Sequence, residues 1–226
     1  MKNSAAVFAI TLLSFAGSVF AGMQFDIAEG DVVNVKLGSG LVNPKVGGVE
    51  VNLNGTTIGY SVGNDAIWAG CYLMDVQGIA TNYKSFCMNV QKDPAFTYVA
   101  HTASAANTDI EAMWGTYYDD VVNDFIKAAA FQLAIWEIIH ENGSYDITSG
   151  NFYFQALYTS SPNNNGATFE GLVGLANSYL NSSNWTTSAN LVMLTAGAYQ
   201  PFIAEVPEPA TMVLLGLGGL LLRKRK

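Results

Sequence analysis

The sequence predicts an α+β fold that is mostly β, a sandwich or barrel-like sheet with one long and one shorter helix packed on it. Three observations lead there. Aromatic residues are frequent, with 4 Trp, 11 Tyr and 12 Phe, as expected of pleated, half-buried surfaces. The 22 glycines sit mostly between short apolar runs, where turns join strands. Apolar spacing becomes helical in only two windows, residues 119–142 and 169–180.

Taken in order, residues 24–28, 32–37, 49–53 and 56–61 read as short strands. Asn54-Gly55 between the last two is a hairpin signal, because both turn positions need positive φ. Residues 66–76 and 83–90 read as a further pair, with the turn near Gln77-Gly78 and one cysteine in each strand. The long helix starts among Asp119, Asp120 and Asp124 and stops before Gly143. Phe125, Ala129, Leu133 and Trp136 recur at spacings of four and three, and Gln132 lies on that stripe. Residues 152–156 follow as a strand, 160–167 as a polar loop, 169–180 as the shorter helix, and 191–195 and 201–205 as closing strands.

Both ends of the chain carry targeting patterns. Lys2 precedes an uncharged run from Ala5 to Phe20 that ends in Val19-Phe20-Ala21, a signal peptide over residues 1–21 with cleavage expected after Ala21. At the other end, residues 206–226 run from Val206-Pro207-Glu208-Pro209 through an uncharged stretch of 13 residues, Ala210 to Leu222, to Arg223-Lys224-Arg225-Lys226. A permanent helical span wants about 20 apolar residues, so this stretch suits transient anchoring in the inner membrane with the basic end in the cytoplasm. The two prolines leave an extended, accessible linker. Pro207, Glu208 and Pro209 followed by a short glycine-containing helix and a basic cluster resemble the PEP-CTERM sorting signal. The resemblance implies processing by exosortase, a membrane protease, and display at the surface or in the matrix of a bacterial envelope, often one that makes exopolysaccharide.

Between them, residues 22–205 suffice for one domain with a real core. That region holds five lysines, no arginine and 17 acids, a net charge of about −12. Nucleic acid is thereby excluded as a partner.

The two cysteines admit two readings. Exported proteins commonly join such a pair, and Cys71 and Cys87 flank the expected turn symmetrically, so a disulfide across the hairpin is one reading. The other starts from Gln132, an amide on the inner stripe of a helix. Burying it unpaired costs about 1–3 kcal/mol, which a structural hydrogen bond would relieve. A cysteine sulfur held against it is a sharper explanation, since attack on the amide carbonyl expels ammonia and leaves an internal thioester. Such chemistry needs a positioned nucleophile, oxyanion donors and an apolar shell against water, which Phe86, Phe131 and Trp136 are placed to supply.

Ser85-Phe86-Cys87-Met88-Asn89 followed by Phe131-Gln132-Leu133-Ala134-Ile135-Trp136 is similar to the bacterial Cys-Gln thioester domains. The resemblance spans about residues 66–141. It implies Cys87 as the thiol, Gln132 as the acyl donor and Trp136 as the aromatic one turn on. The family commonly has an acid where Asn89 stands, and its pattern gives Cys71 no role. His140, four residues beyond Trp136, is a candidate for activating the site.

Other constellations are weaker. Neither the cysteines nor His101 and His140 show close metal-ligand spacing, and no cofactor is expected. No strand-turn-helix nucleophile elbow supports a hydrolase. The expectation is therefore an exported, adhesin-like surface or matrix protein, not an enzyme, whose thioester couples once to a nucleophile, such as an amine on a protein or polysaccharide-associated partner. The alternative is a non-reactive structural or carbohydrate-associated matrix protein with a Cys71 to Cys87 disulfide.

Overall fold

The computed structural model describes residues 27–38, 45–59, 67–158 and 164–206. The signal peptide, nearly all of the sorting tail and most of the expected strand at 24–28 lie outside the described residues. Two antiparallel sheets carry the fold. The larger has the order β10-β9-β7-β1-β5-β6, formed by β1 (Val32–Leu37), β5 (Tyr72–Val76), β6 (Ala80–Ser85), β7 (Val99–Ala105), β9 (Leu191–Thr195) and β10 (Phe202–Glu205). The smaller is built on β2 (Lys45–Leu53), which pairs with β3 (Thr56–Gly59), β4 (Ile67–Gly70) and β8 (Phe152–Leu157). Three helices, α1 (Thr108–Val121), α2 (Phe125–His140) and α3 (Phe169–Leu180), pack on these sheets. The mostly β, α+β expectation holds, with three α-helices among the described residues where two were expected.

Local chemistry sets several boundaries. Asn54 and Gly55 take φ of 52° and 81°, the doubly positive turn that joins β2 to β3. Helix α2 starts where the Asp124 carboxylate accepts from the backbone N–H of Ile126 and Lys127. Asp119 and Asp120 do not begin that helix, as expected from sequence; they end α1, and Val122 to Asp124 breaks the chain between the two. The expected single strand 66–76 is also divided. Gly70, at φ 142°, turns the chain so that β4 joins the smaller sheet and β5 the larger.

Helix α2 is not the one-faced amphipathic helix its spacing suggested. Phe125 is on the exposed end, whereas every residue from Ala128 to Ile138 is buried. The helix lies between β2, β4 and β8 on one side and α1 and α3 on the other, so its buried length is covered on all faces and holds two polar side chains, Gln132 and Glu137.

The larger sheet curls toward closure. Beyond β6, the segment 86–88 meets β10 through an isolated bridge between Cys87 and Phe202. Met88 N–H donates to the Pro201 carbonyl at 2.9 Å and Ile203 N–H to the Phe86 carbonyl at 3.3 Å. The Ser85 hydroxyl adds a bond to the Ile203 carbonyl at 2.5 Å. The two ends of the strand order thus touch at the segment that carries Cys87.

Candidate functional site

The bonds to β10 leave from Phe86 and Met88, so the N–H and C=O of Cys87 itself point the other way, into the domain, as alternation along a strand requires. Among the described residues no strand lies on that side. The side chain of Gln132, from the centre of α2, takes its place: Oε1 accepts from Cys87 N at 2.9 Å and Nε2 donates to Cys87 O at 2.7 Å. Gln132 is completely buried, and this pairing satisfies both its amide and a backbone unit that would otherwise be orphaned. The structure therefore brings together the two residues singled out for acyl chemistry, 45 positions apart in the chain.

The shell is apolar and tight. Phe86, Phe131 and Trp136 are buried, with the Phe86 and Phe131 rings 5.0 Å apart edge to face. Two residues that sequence reasoning missed complete it: Trp114 lies 5.7 Å from Phe86, and Tyr118 stacks on Trp114 at 4.3 Å. Both belong to α1, the helix that was not expected. Their signal was present, since Asn107 caps the helix and Ile110, Met113 and Trp114 follow at helical spacing.

Burial raises the Cys87 thiol well above the ordinary cysteine range, so it is a neutral thiol at rest. The Trp136 indole opposes this shift from beside the sulfur, although its N–H makes no hydrogen bond of standard geometry. A buried indole donor without an oxygen or nitrogen partner, next to a sulfur, is available to a charge that develops there.

Cys87 and Trp136 form the floor of a cleft of about 580 Å³. Its walls include Lys45, Trp68, Tyr72, Asn89, Phe96 and Gln200. Asn89, where the resembled family has an acid, accepts from Gln91 N–H through its side chain and from Gln200 Nε2 through its carbonyl, so it shapes the cleft wall. His140 is not among the cleft-lining residues. Its ring stacks on Phe152 at 5.7 Å and its pKa is lowered by burial.

The alternative reading, a Cys71 to Cys87 disulfide, is not what the structure has: both thiols are free and buried. The β5–β6 register, with Tyr72 opposite Ser85, sets Cys71 opposite Phe86 when extended, one position out of step with Cys87. Strand alternation then sends the two side chains to opposite faces. Cys71 Sγ lies 3.8 Å from the Tyr72 carbonyl, and burial pushes its thiol up to about 12. Pro207, Glu208 and Pro209 lie outside the described residues.

No curated protein and no solved structure matches the chain. A family model does match its C-terminus: the PEP-CTERM protein-sorting motif, over residues 205–226. Among the described residues no helix is long and apolar enough to cross a membrane. The chain carries the sorting signal of a bacterial exosortase substrate, exported, held briefly in the membrane by its C-terminal tail and then displayed at the cell surface.

Proposed function

We propose that this protein is a surface-displayed covalent binder in which Cys87 and Gln132 form an internal thioester that couples once to a nucleophile on a partner. It acts as a single-use adhesin and not as a turnover enzyme. The observation that carries the reading is the bond from Cys87 N–H to Gln132 Oε1 at 2.9 Å, in a site closed by Phe86, Phe131 and Trp136.

The chemistry follows from that contact. The Cys87 N–H polarises the Gln132 carbonyl and receives the developing oxyanion. The sulfur attacks the amide carbon, a C–S bond forms, the C–N bond breaks, and the thiol proton leaves with the nitrogen as ammonia. The burial that disfavours a thiolate favours the neutral thioester and keeps water from it. When a partner amine enters the cleft and attacks, a C–N bond forms, the C–S bond breaks, and the amine proton returns to Cys87 as a thiol.

Amine labelling tests this. Methylamine should add to Gln132 with release of one thiol at Cys87. Cys87→Ala should abolish the adduct and Cys71→Ala should leave it intact; an adduct in Cys87→Ala, or none in the parent protein, defeats the proposal. A second reading, a non-reactive structural or carbohydrate-associated matrix protein, is favoured by one observation. Both ends of the Gln132 amide are already bonded to Cys87, which is sufficient reason to keep a glutamine in a core.

A further inference from the structure

Lys45, at the start of β2, is half-buried in the wall of the cleft above Cys87 and forms no ion pair among the described residues. Its Nζ rests 4.1 Å from the Trp68 ring centre and 5.6 Å from that of Tyr72. Aromatic faces compensate a cation only in part. Desolvation lowers the Lys45 pKa, which marks the ammonium as under-solvated where it stands.

The rest of the cleft defines what would complete that charge. Lys92 also lines it, and among the described lining residues Asp93 is the one acid, in a domain whose acids far outnumber its lysines. Phe96 stands on the rim at 78% exposure, a large ring with one face open to solvent. The side chain of Gln91, the Asn89 amide nitrogen and the Gln200 amide oxygen have no hydrogen-bond partner among the described residues, so donors and acceptors remain available in the wall. A volume of about 580 Å³ is that of a ligand site.

We infer that the cleft over Cys87 is a recognition site for a carboxylate-bearing polysaccharide, with Lys45 holding a uronate carboxylate, Phe96 covering the C–H face of a sugar ring and the amides of Asn89, Gln91 and Gln200 meeting its hydroxyls. An acidic peptide fits less well, because acidic motifs are read by clusters of arginines, and this wall offers no arginine among its described residues but ring faces and side-chain amides. As a statement about the covalent partner the inference rests on the thioester reading. The recognition itself does not.

The test is equilibrium binding to the full-length Cys87→Ala protein in mild detergent, where no thioester can form, so that its failure is separate from failure of the acyl chemistry. Three probes of equal length are compared: an oligogalacturonate, a neutral hexose oligomer and an oligoglutamate. The oligogalacturonate should bind at least about tenfold more tightly than either of the others, an advantage that shrinks with added salt. In the same background Lys45→Gln should lose about tenfold for the uronate and leave the neutral sugar unchanged, while Lys45→Arg should retain most of the binding. Phe96→Ala, at an exposed rim position, should weaken uronate binding several-fold with an unchanged melting temperature. Equal binding of uronate and neutral sugar, indifference to Lys45→Gln in a folded variant, preference for the oligoglutamate, or no saccharide binding would each overturn the inference.

Discussion

Gln132 binds the backbone of Cys87 through both ends of its amide, at 2.9 Å and 2.7 Å, in the position a neighbouring strand would occupy. The pairing gives the intact Gln132 amide a structural role, half of which ends if its nitrogen leaves as ammonia. Gln132→Leu keeps the volume but strands a buried N–H and a buried C=O at Cys87, and should cost about 2–4 kcal/mol in urea unfolding. A loss below about 0.5 kcal/mol would show that the pairing is not maintained in solution.

Gly115 tests the packing of α1, which supplies Trp114 to the shell. In an exposed helix Gly→Ala stabilises by about 1 kcal/mol. Here an added Cβ would meet backbone atoms of Ser188 and Ala189 at 2.7 Å, so overpacking outweighs propensity. Gly115→Ala should therefore destabilise, by about 1–3 kcal/mol in the same assay. A rise in stability would mean that the 188–189 segment does not lie against α1.

Glu137, next to Trp136, is buried, and desolvation raises its carboxyl from 4.5 to about 7, helped by the carboxylates of Glu141 and Asp146 and opposed by the bond from Asp146 N–H. Because the folded value lies above the unfolded one, the folded protein holds this proton more tightly. The contribution is complete below about 4.5 and is lost as pH rises through about 7. Glu137→Gln cannot ionise, so its melting temperature relative to the parent should climb across that window. A constant difference would place the carboxyl in water.

The sorting tail makes its own prediction. A Pro207→Ala, Pro209→Ala double variant loses both helix-breaking residues ahead of the apolar stretch, and should accumulate uncleaved in the membrane fraction. Processing and release at the parental rate, followed by immunoblot of cell fractions, would remove the linker from the sorting mechanism.

What could be read from the sequence was what local chemistry decides. The Asn54-Gly55 turn, β1 and α3 need only their own residues, and each stands where its pattern put it. Strand β7, Val99–Ala105, was missed because Ala, Thr and Ser give its alternation little apolar contrast. The division of 66–76 at Gly70 depends on which sheet each half pairs with, and pairing partners lie far away in sequence. The same limit governs the site. Cys87 and Gln132 were legible as residue types in suggestive surroundings, and Phe86, Phe131 and Trp136 as their shell. Lys45 and Trp68 reach the cleft through the smaller sheet, and Trp114 the shell through α1, so neither carried a signal near the cysteine. Cys71 misled because symmetry about a turn says nothing of which face a side chain takes, and a shift of one residue reverses it.

The most direct measurement is the intact mass of the folded, denatured-in-acid domain of residues 22–205, taken before any reductant or amine is added. A thioester between Cys87 and Gln132 predicts a mass one ammonia below that of the sequence, with the deficit confined to the peptide pair that contains those two residues and absent in Cys87→Ala. The full sequence mass, with Gln132 an intact amide and two thiols titrating after denaturation, would contradict it and leave Gln132 as the core residue that hydrogen-bonds the backbone of Cys87.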